Sequence, residues 1–231
     1  MKDRRDNPLR SPPGVKNNME PLLFADWYTD PFCSWSFAAE EAIGRFRSHF
    51  GERLSFRHRL FPLYSSIDEF LRNHGLATQN DFAPRIGKVS RATGVTMSPK
   101  VWETGQAPSS TEECCRFAEA ALIADPEKGD RFLARLRELA FLDGRNIGDP
   151  GILRETARAL GVDMALLEEA LRSGRAEAAL EEDREKARVE GVTVRPTLVM
   201  TNSGGDRVFI GGLRDPDLFI LAGEILIREA S

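Results

Sequence analysis

Hydrophobic and polar positions change period along this chain. Residues 22–28 form an apolar stretch that reads as a buried strand. From about residue 33 to residue 50 the pattern turns amphipathic and predicts a helix. Leu54-Ser55-Phe56-Arg57-His58-Arg59-Leu60 alternates apolar and polar side chains, apart from His58 on the apolar face, and predicts a second strand. The chain therefore begins strand, helix, strand over residues 21–29, 33–50 and 53–61. A right-handed crossover makes the two strands parallel neighbours.

From about Ser65 to Glu190 the pattern is helix after helix. Phe132, Leu133, Leu136, Leu139 and Ala140 share one helical face. Asp149-Pro150 predicts a helix start, Asp163 caps the next helix, and Gly161, Gly174 and Gly191 are placed to terminate helices. Residues 96–110, with Pro99 and Pro108, read as a loop. Residues 196–201 and 207–210 read as strands joined by the hairpin run Asn202-Ser203-Gly204-Gly205-Asp206. Asp215-Pro216 begins a last helix with Leu218, Leu221, Ala222 and Ile225 on its expected apolar face. The order β-α-β, long helical insertion, β-β-α predicts an α/β protein with a thioredoxin-like fold. Its discontinuous domain spans residues 21–64 and 191–231, an inserted helical domain spans 65–190, and residues 1–20 form a flexible tail.

Composition narrows the function classes. The 231 residues are 41% hydrophobic and 29% charged, with a net charge of −4, which suits a globular core and leaves no basic stripe for nucleic acid. No apolar run is long enough for a membrane helix, and no secretory leader pattern appears near Lys2, Arg4 and Arg5. Three cysteines do not build a disulfide framework, so the expected compartment is the cytoplasm. His49, His58 and His74 lack ligand spacing and predict no metal site. Glu168-Glu169 and Glu181-Glu182-Asp183 read as solvated helix faces.

Cys33 is the candidate nucleophile. It sits where a strand hands over to a helix, and free N–H groups with the positive end of the helix dipole favour a thiolate there. Cysteines in such settings have pKa values of roughly 3.5 to 7.5, against about 8.5 for a free thiol. The plain alternative is a buried structural cysteine. Three residues on stands Ser36, where a redox dithiol has its second cysteine. Asp26, in the first strand, is a candidate proton relay, and Asp30 rivals it or sets the turn before the helix. Cys114 and Cys115 read as buried helix residues, with a resolving role left open. As neighbours, with Cα atoms about 3.8 Å apart, they are poorly placed to bond each other. Pro196 sits at a strand entrance, where a missing N–H is tolerated.

The run Tyr28-Thr-Asp-Pro-Phe-Cys-Ser-Trp-Ser36, the insertion holding residues 132–147, Val194-Arg-Pro-Thr-Leu198 and Ile210-Gly-Gly212 together resemble DsbA-like thioredoxin-fold proteins. The resembling branch includes cytoplasmic dithiol oxidoreductases and adaptors of the ClpXP protease. More distantly the chain resembles kappa-class glutathione transferases and 2-hydroxychromene-2-carboxylate isomerases. The resemblance covers about residues 21–228. It implies that Cys33 is the nucleophile, that Ser36 fills the second motif position, and that Pro196 is a cis-proline flanked by substrate-binding Arg195 and Thr197, with Trp35 walling the cleft. It implies a protein or low-molecular-weight thiol or disulfide partner, glutathione as a co-substrate rather than a bound cofactor, and no nucleic-acid or membrane partner. With Ser36 present, a mixed disulfide at Cys33 must be resolved by an outside thiol. Three functions follow as expectations: monothiol thiol–disulfide exchange, a peptide-binding protease adaptor with little turnover, and glutathione-dependent transfer or isomerisation.

Overall fold

The computed structural model describes residues 20–230. All but the last residue of the tail expected over 1–20 lies outside them. Strand β1 (Leu23–Thr29) lies between β2 (Leu54–Leu60) and β3 (Thr197–Asn202), and β4 (Arg207–Gly211) completes a four-stranded sheet in the order β2-β1-β3-β4. β1 and β2 are parallel, as their helical crossover dictates, and β3 runs antiparallel to both β1 and β4.

The two-residue period of the strands sorts their side chains into two unlike faces. Leu23, Ala25 and Trp27 of β1 share a face with Leu198 and Met200 of β3. Helices α2 (Glu40–Phe50) and α11 (Pro216–Glu229) cover it with Ile43, Phe46, Phe50, Phe219 and Leu226. Burying each such large side chain is worth about 1.5–3 kcal/mol, which makes this layer the frame of the sheet. The other face carries Asp26, Tyr28 and Arg59, and α10 (Arg175–Glu190) packs on it through charge. Arg59 donates to Asp26 (2.7 Å) and Asp183 (2.8 Å), and Lys186 pairs with Asp26 and Glu190.

Between β2 and β3 run α3 (Ile67–Asn73), α4 (Ala83–Thr93), α5 (Lys100–Glu103), α6 (Glu112–Ala124), α7 (Pro126–Phe141), α8 (Pro150–Ala159), α9 (Met164–Arg172) and α10. Phe132, Leu133, Leu136, Leu139 and Ala140 are all buried, as the period of α7 requires. Asp149 and Asp163 accept hydrogen bonds from the first-turn amides of α8 and α9. At Gly129 a Cβ would lie 2.6 Å from the backbone of Leu122, so α6 and α7 approach at a distance that glycine alone permits.

Four expectations are corrected. The helix read over 33–50 is broken: α1 (Ser34–Ala38) ends where the Ala39 N–H turns to both Trp35 and Ser36 carbonyls, and α2 starts at Glu40. The loop read over 96–110 contains α5, which carries the fully buried Trp102. Asp183 is buried, not solvated, and accepts from the Leu60 N–H (2.6 Å) besides Arg59. The buried side of α11 holds Phe219, Gly223 and Leu226, while Leu218 and Leu221 are exposed, because the sheet meets the helix one residue further round.

Candidate active site

The site begins with a turn made by one aspartate. Asp30 accepts from the Phe32 N–H through Oδ1 (2.5 Å), and its carbonyl accepts from the Cys33 N–H (3.2 Å). Its second oxygen accepts from the Leu63 N–H (2.6 Å), which ties the turn to the exit of β2. Pro31 has no N–H to satisfy, so Asp30-Pro31 leaves β1 without stranding a donor. The turn delivers Cys33 as the N-cap of α1, in extended conformation, with its carbonyl accepting from Phe37 N–H at 3.0 Å.

Cys33 Sγ lies 3.8 Å from the carbonyl oxygen of Arg195, and the Arg195–Pro196 peptide bond is cis. The sequence reading thus correctly places the thiol opposite the proline loop. The Arg195 side chain turns away from the sulfur. Its Nε and Nη2 donate to the carbonyls of Phe61 (2.5 Å) and Pro62 (2.7 Å), and its guanidinium lies 3.8 Å over the Phe61 ring. Thr197 is buried at the start of β3, where its hydroxyl donates to the Val194 carbonyl (2.9 Å). Trp35 is 41% exposed and, with Cys33, lines a cavity of about 360 Å³.

The electrostatics correct the expected acidic thiol. Cys33 is only 5% exposed, and burial pushes its pKa up. The hydroxyl and backbone of Ser36 favour the thiolate, the Asp30 charge opposes it, and Arg195 favours it. Desolvation outweighs the hydrogen bonds of Ser36 and the charge of Arg195. Ser36 Oγ is buried without a well-formed hydrogen bond in this resting arrangement, which leaves it available to a charged sulfur.

Asp26 and Asp30 divide differently from the expectation. Asp26 faces α10 and is held by Arg59 and Lys186. Asp30 is the fully buried carboxylate at the turn, and burial pushes its pKa up against its hydrogen bonds and Arg195. Behind it, Cys115 Sγ donates to Asp30 Oδ2 (3.6 Å) and Cys114 Sγ to the Thr111 carbonyl (3.1 Å). Both thiols are fully buried and pushed up by desolvation. Asp30, Cys114 and Cys115 bring three donor atoms within 4.8 Å of one another, the group among the described residues that could hold a metal ion. Sequence spacing gives no sign of this juxtaposition across more than eighty residues. The remaining cavity walls were also missed: Phe70, His74, Phe82, Arg85 and Trp102 come from α3, α4, α5 and the segments beside them.

A mixed sheet, a helix-start cysteine facing a cis-proline and a long helical insertion define the DsbA-like class of thioredoxin fold. A family model described as Thioredoxin matches residues 27–216, and the chain belongs to that family. The ClpXP adapter protein SpxH of Halalkalibacterium halodurans is 26% identical over 183 residues, which cover 78% of this chain and 58% of that protein. The chain thus spans under two thirds of that relative's length. SpxH of Shouchella clausii is 34% identical over 92 residues, 40% of this chain and 31% of that one. Among solved structures, the cytosolic disulfide reductase DsbM of Pseudomonas aeruginosa shares the fold at TM-score 0.70 and 19% identity, covering 90% of this chain and all of that one. Among the described residues no helix is long and apolar enough to cross a membrane.

Proposed function

We propose that this protein is a monothiol thiol–disulfide exchange protein whose nucleophile is Cys33. The observation that carries the reading is the Cys33 sulfur at the start of α1, 3.8 Å from the Arg195 carbonyl and at the edge of a cavity. Cys33 gives up its proton, and the thiolate attacks one sulfur of a partner disulfide. That S–S bond breaks, a Cys33–partner disulfide forms, and the other sulfur leaves as a thiolate. Ser36 stabilises the charged sulfur but has no thiol with which to displace the partner, so a second, external thiol does so. Glutathione serves this step in the proposal, in the cytoplasm; a DsbM structure with GSH among the similar folds supports it. Asp26, engaged by Arg59 and Lys186, has no relay role in the proposal.

The test is thiol modification of the native protein across pH. One thiol should react, its rate rising through and above the ordinary thiol range of about 8.5, and Cys33→Ala should abolish it. A native protein in which no thiol reacts with a small disulfide, while all three react on unfolding, overturns the reading.

The SpxH relatives favour a second reading, a protease adaptor that uses the same site without turnover. In that case Cys33→Ala abolishes exchange but keeps the binding of ClpXP. Glutathione transfer or isomerisation, the third expectation, requires a conjugated or isomerised product without disulfide reduction.

A further inference from the structure

The cavity beside Cys33 has a chemical character that thiol exchange alone does not require. Its volume of about 360 Å³ is that of a small-molecule pocket rather than an extended peptide groove. Its walls are rings: Phe82 and Trp102 lie 4.3 Å apart, Phe32 and Trp102 5.3 Å, and Phe70 stacks on Trp102 at 6.0 Å. Aromatic walls of this kind favour a flat aromatic guest through offset stacking and edge contacts.

Charge specifies the guest further. Among the described residues the cavity lining holds Arg85, Arg195 and His74 and not one aspartate or glutamate, in a chain with 36 acidic against 32 basic residues. Arg195 is occupied by the carbonyls of Phe61 and Pro62. Arg85 is not. Its Nη2 donates to the His74 carbonyl (3.0 Å), its guanidinium sits 5.4 Å from the Phe82 ring, and among the described residues it pairs with no carboxylate. A guanidinium has five N–H donors in a planar fork suited to a carboxylate or sulfonate, so most of this one remains unused. The buried Trp102 Nε1 in the same wall also lacks an acceptor.

We propose that this cavity recognises a small aromatic anion, carried on the disulfide or thiol that meets Cys33, with the ring against the Phe82–Trp102 wall on the side of Trp35 and the negative group on Arg85. The inference rests on Cys33 as the nucleophile for its chemistry, but binding can be read separately. In the step it implies, the Cys33 thiolate attacks the near sulfur of an aryl disulfide. A Cys33–sulfur bond forms as the S–S bond breaks, the aryl thiolate leaves, and the thiol proton passes to solvent.

Binding is measured on Cys33→Ala by quenching of tryptophan fluorescence and by calorimetry, with naphthoate and naphthylmethylammonium as probes. Naphthoate should bind saturably and the ammonium at least tenfold more weakly, and Arg85→Gln should weaken naphthoate roughly five- to tenfold. Arg85→Lys should retain the preference for the anion. Equal binding of the two probes, or naphthoate binding indifferent to Arg85→Gln, overturns the proposal. Exchange is measured on the unsubstituted protein with bis(carboxynitrophenyl) disulfide and dipyridyl disulfide, each rate divided by that of N-acetylcysteine. The anionic disulfide should be favoured, and Arg85→Gln should lower that ratio roughly fivefold. A reactive Cys33 without charge preference ends the pocket assignment alone. An inert Cys33 beside a pocket that binds naphthoate ends the nucleophile assignment alone.

Discussion

Two cavities handle charge in opposite ways. The one beside Cys33 has arginines and, among the described residues, no carboxylates. The one along β2 is larger, about 630 Å³, and mixes Arg47, Arg57 and Arg59 with Glu119, Glu127, Asp130, Glu182 and Asp183. In the larger cavity several of the charges answer one another: Asp130 pairs with Arg47 and His58, and Asp183 with Arg59. Those pairs hold α7 and α10 to the outer strand. Around Cys33 the polar groups face the cavity or backbone carbonyls instead. Volume therefore marks where the insertion is fastened, and uncompensated charge marks where a ligand is expected.

The contrast is open to attack at graded strength. Arg59→Met leaves the buried Asp183 without its cation and should cost about 3–5 kcal/mol in urea unfolding, with the modification rate of native Cys33 unchanged. A changed rate would join the two cavities into one functional unit. Glu119 is pushed up to about 9 by burial and by Asp183. Unfolded, its pKa returns to about 4.3, so between these values the folded state holds a proton that the unfolded state has lost. Its contribution is complete at low pH and falls as pH rises from there to about 9. Glu119→Gln should flatten that part of the melting-temperature profile between pH 5 and 9.

On the Cys33 side the expected losses are smaller. Asp30→Asn puts an amide nitrogen where one of the Phe32 and Leu63 N–H groups now finds an oxygen, and should cost about 1–3 kcal/mol. The same substitution removes a charge that raises the Cys33 pKa, so Cys33 modification should begin at lower pH. Thr197→Val deletes one hydrogen bond, to Val194, and should cost about 1 kcal/mol by thermal unfolding. An aryl-disulfide rate altered by Thr197→Val would restore this residue to the binding surface that the sequence suggested.

The frame was legible because local rules set it. Periods of two and of 3.6, aspartates before Pro150 and Pro216, and the Asn202–Asp206 hairpin each act within a few residues. Cys33 at a helix start belongs to the same class of signal. What stayed hidden depends on distant partners. Asp183 reads as solvent-facing until β2 offers it Arg59 and an orphan N–H. Trp102 lies in a segment with loop composition and becomes a cavity wall through contacts with Phe32, Phe70 and Phe82. The thiol's acidity was misread for a related reason: a helix start is local, but desolvation is the work of the whole fold.

The clamp on Arg195 has a consequence for how guests are chosen. With its guanidinium locked to two main-chain oxygens and a ring, the segment facing the sulfur has no swinging side arm at that position. Width of the gap is thus set by the scaffold before any encounter, and newcomers are sorted by shape ahead of reactivity. Phe61 carries that geometry from the end of β2, so replacing it would alter which molecules gain admission.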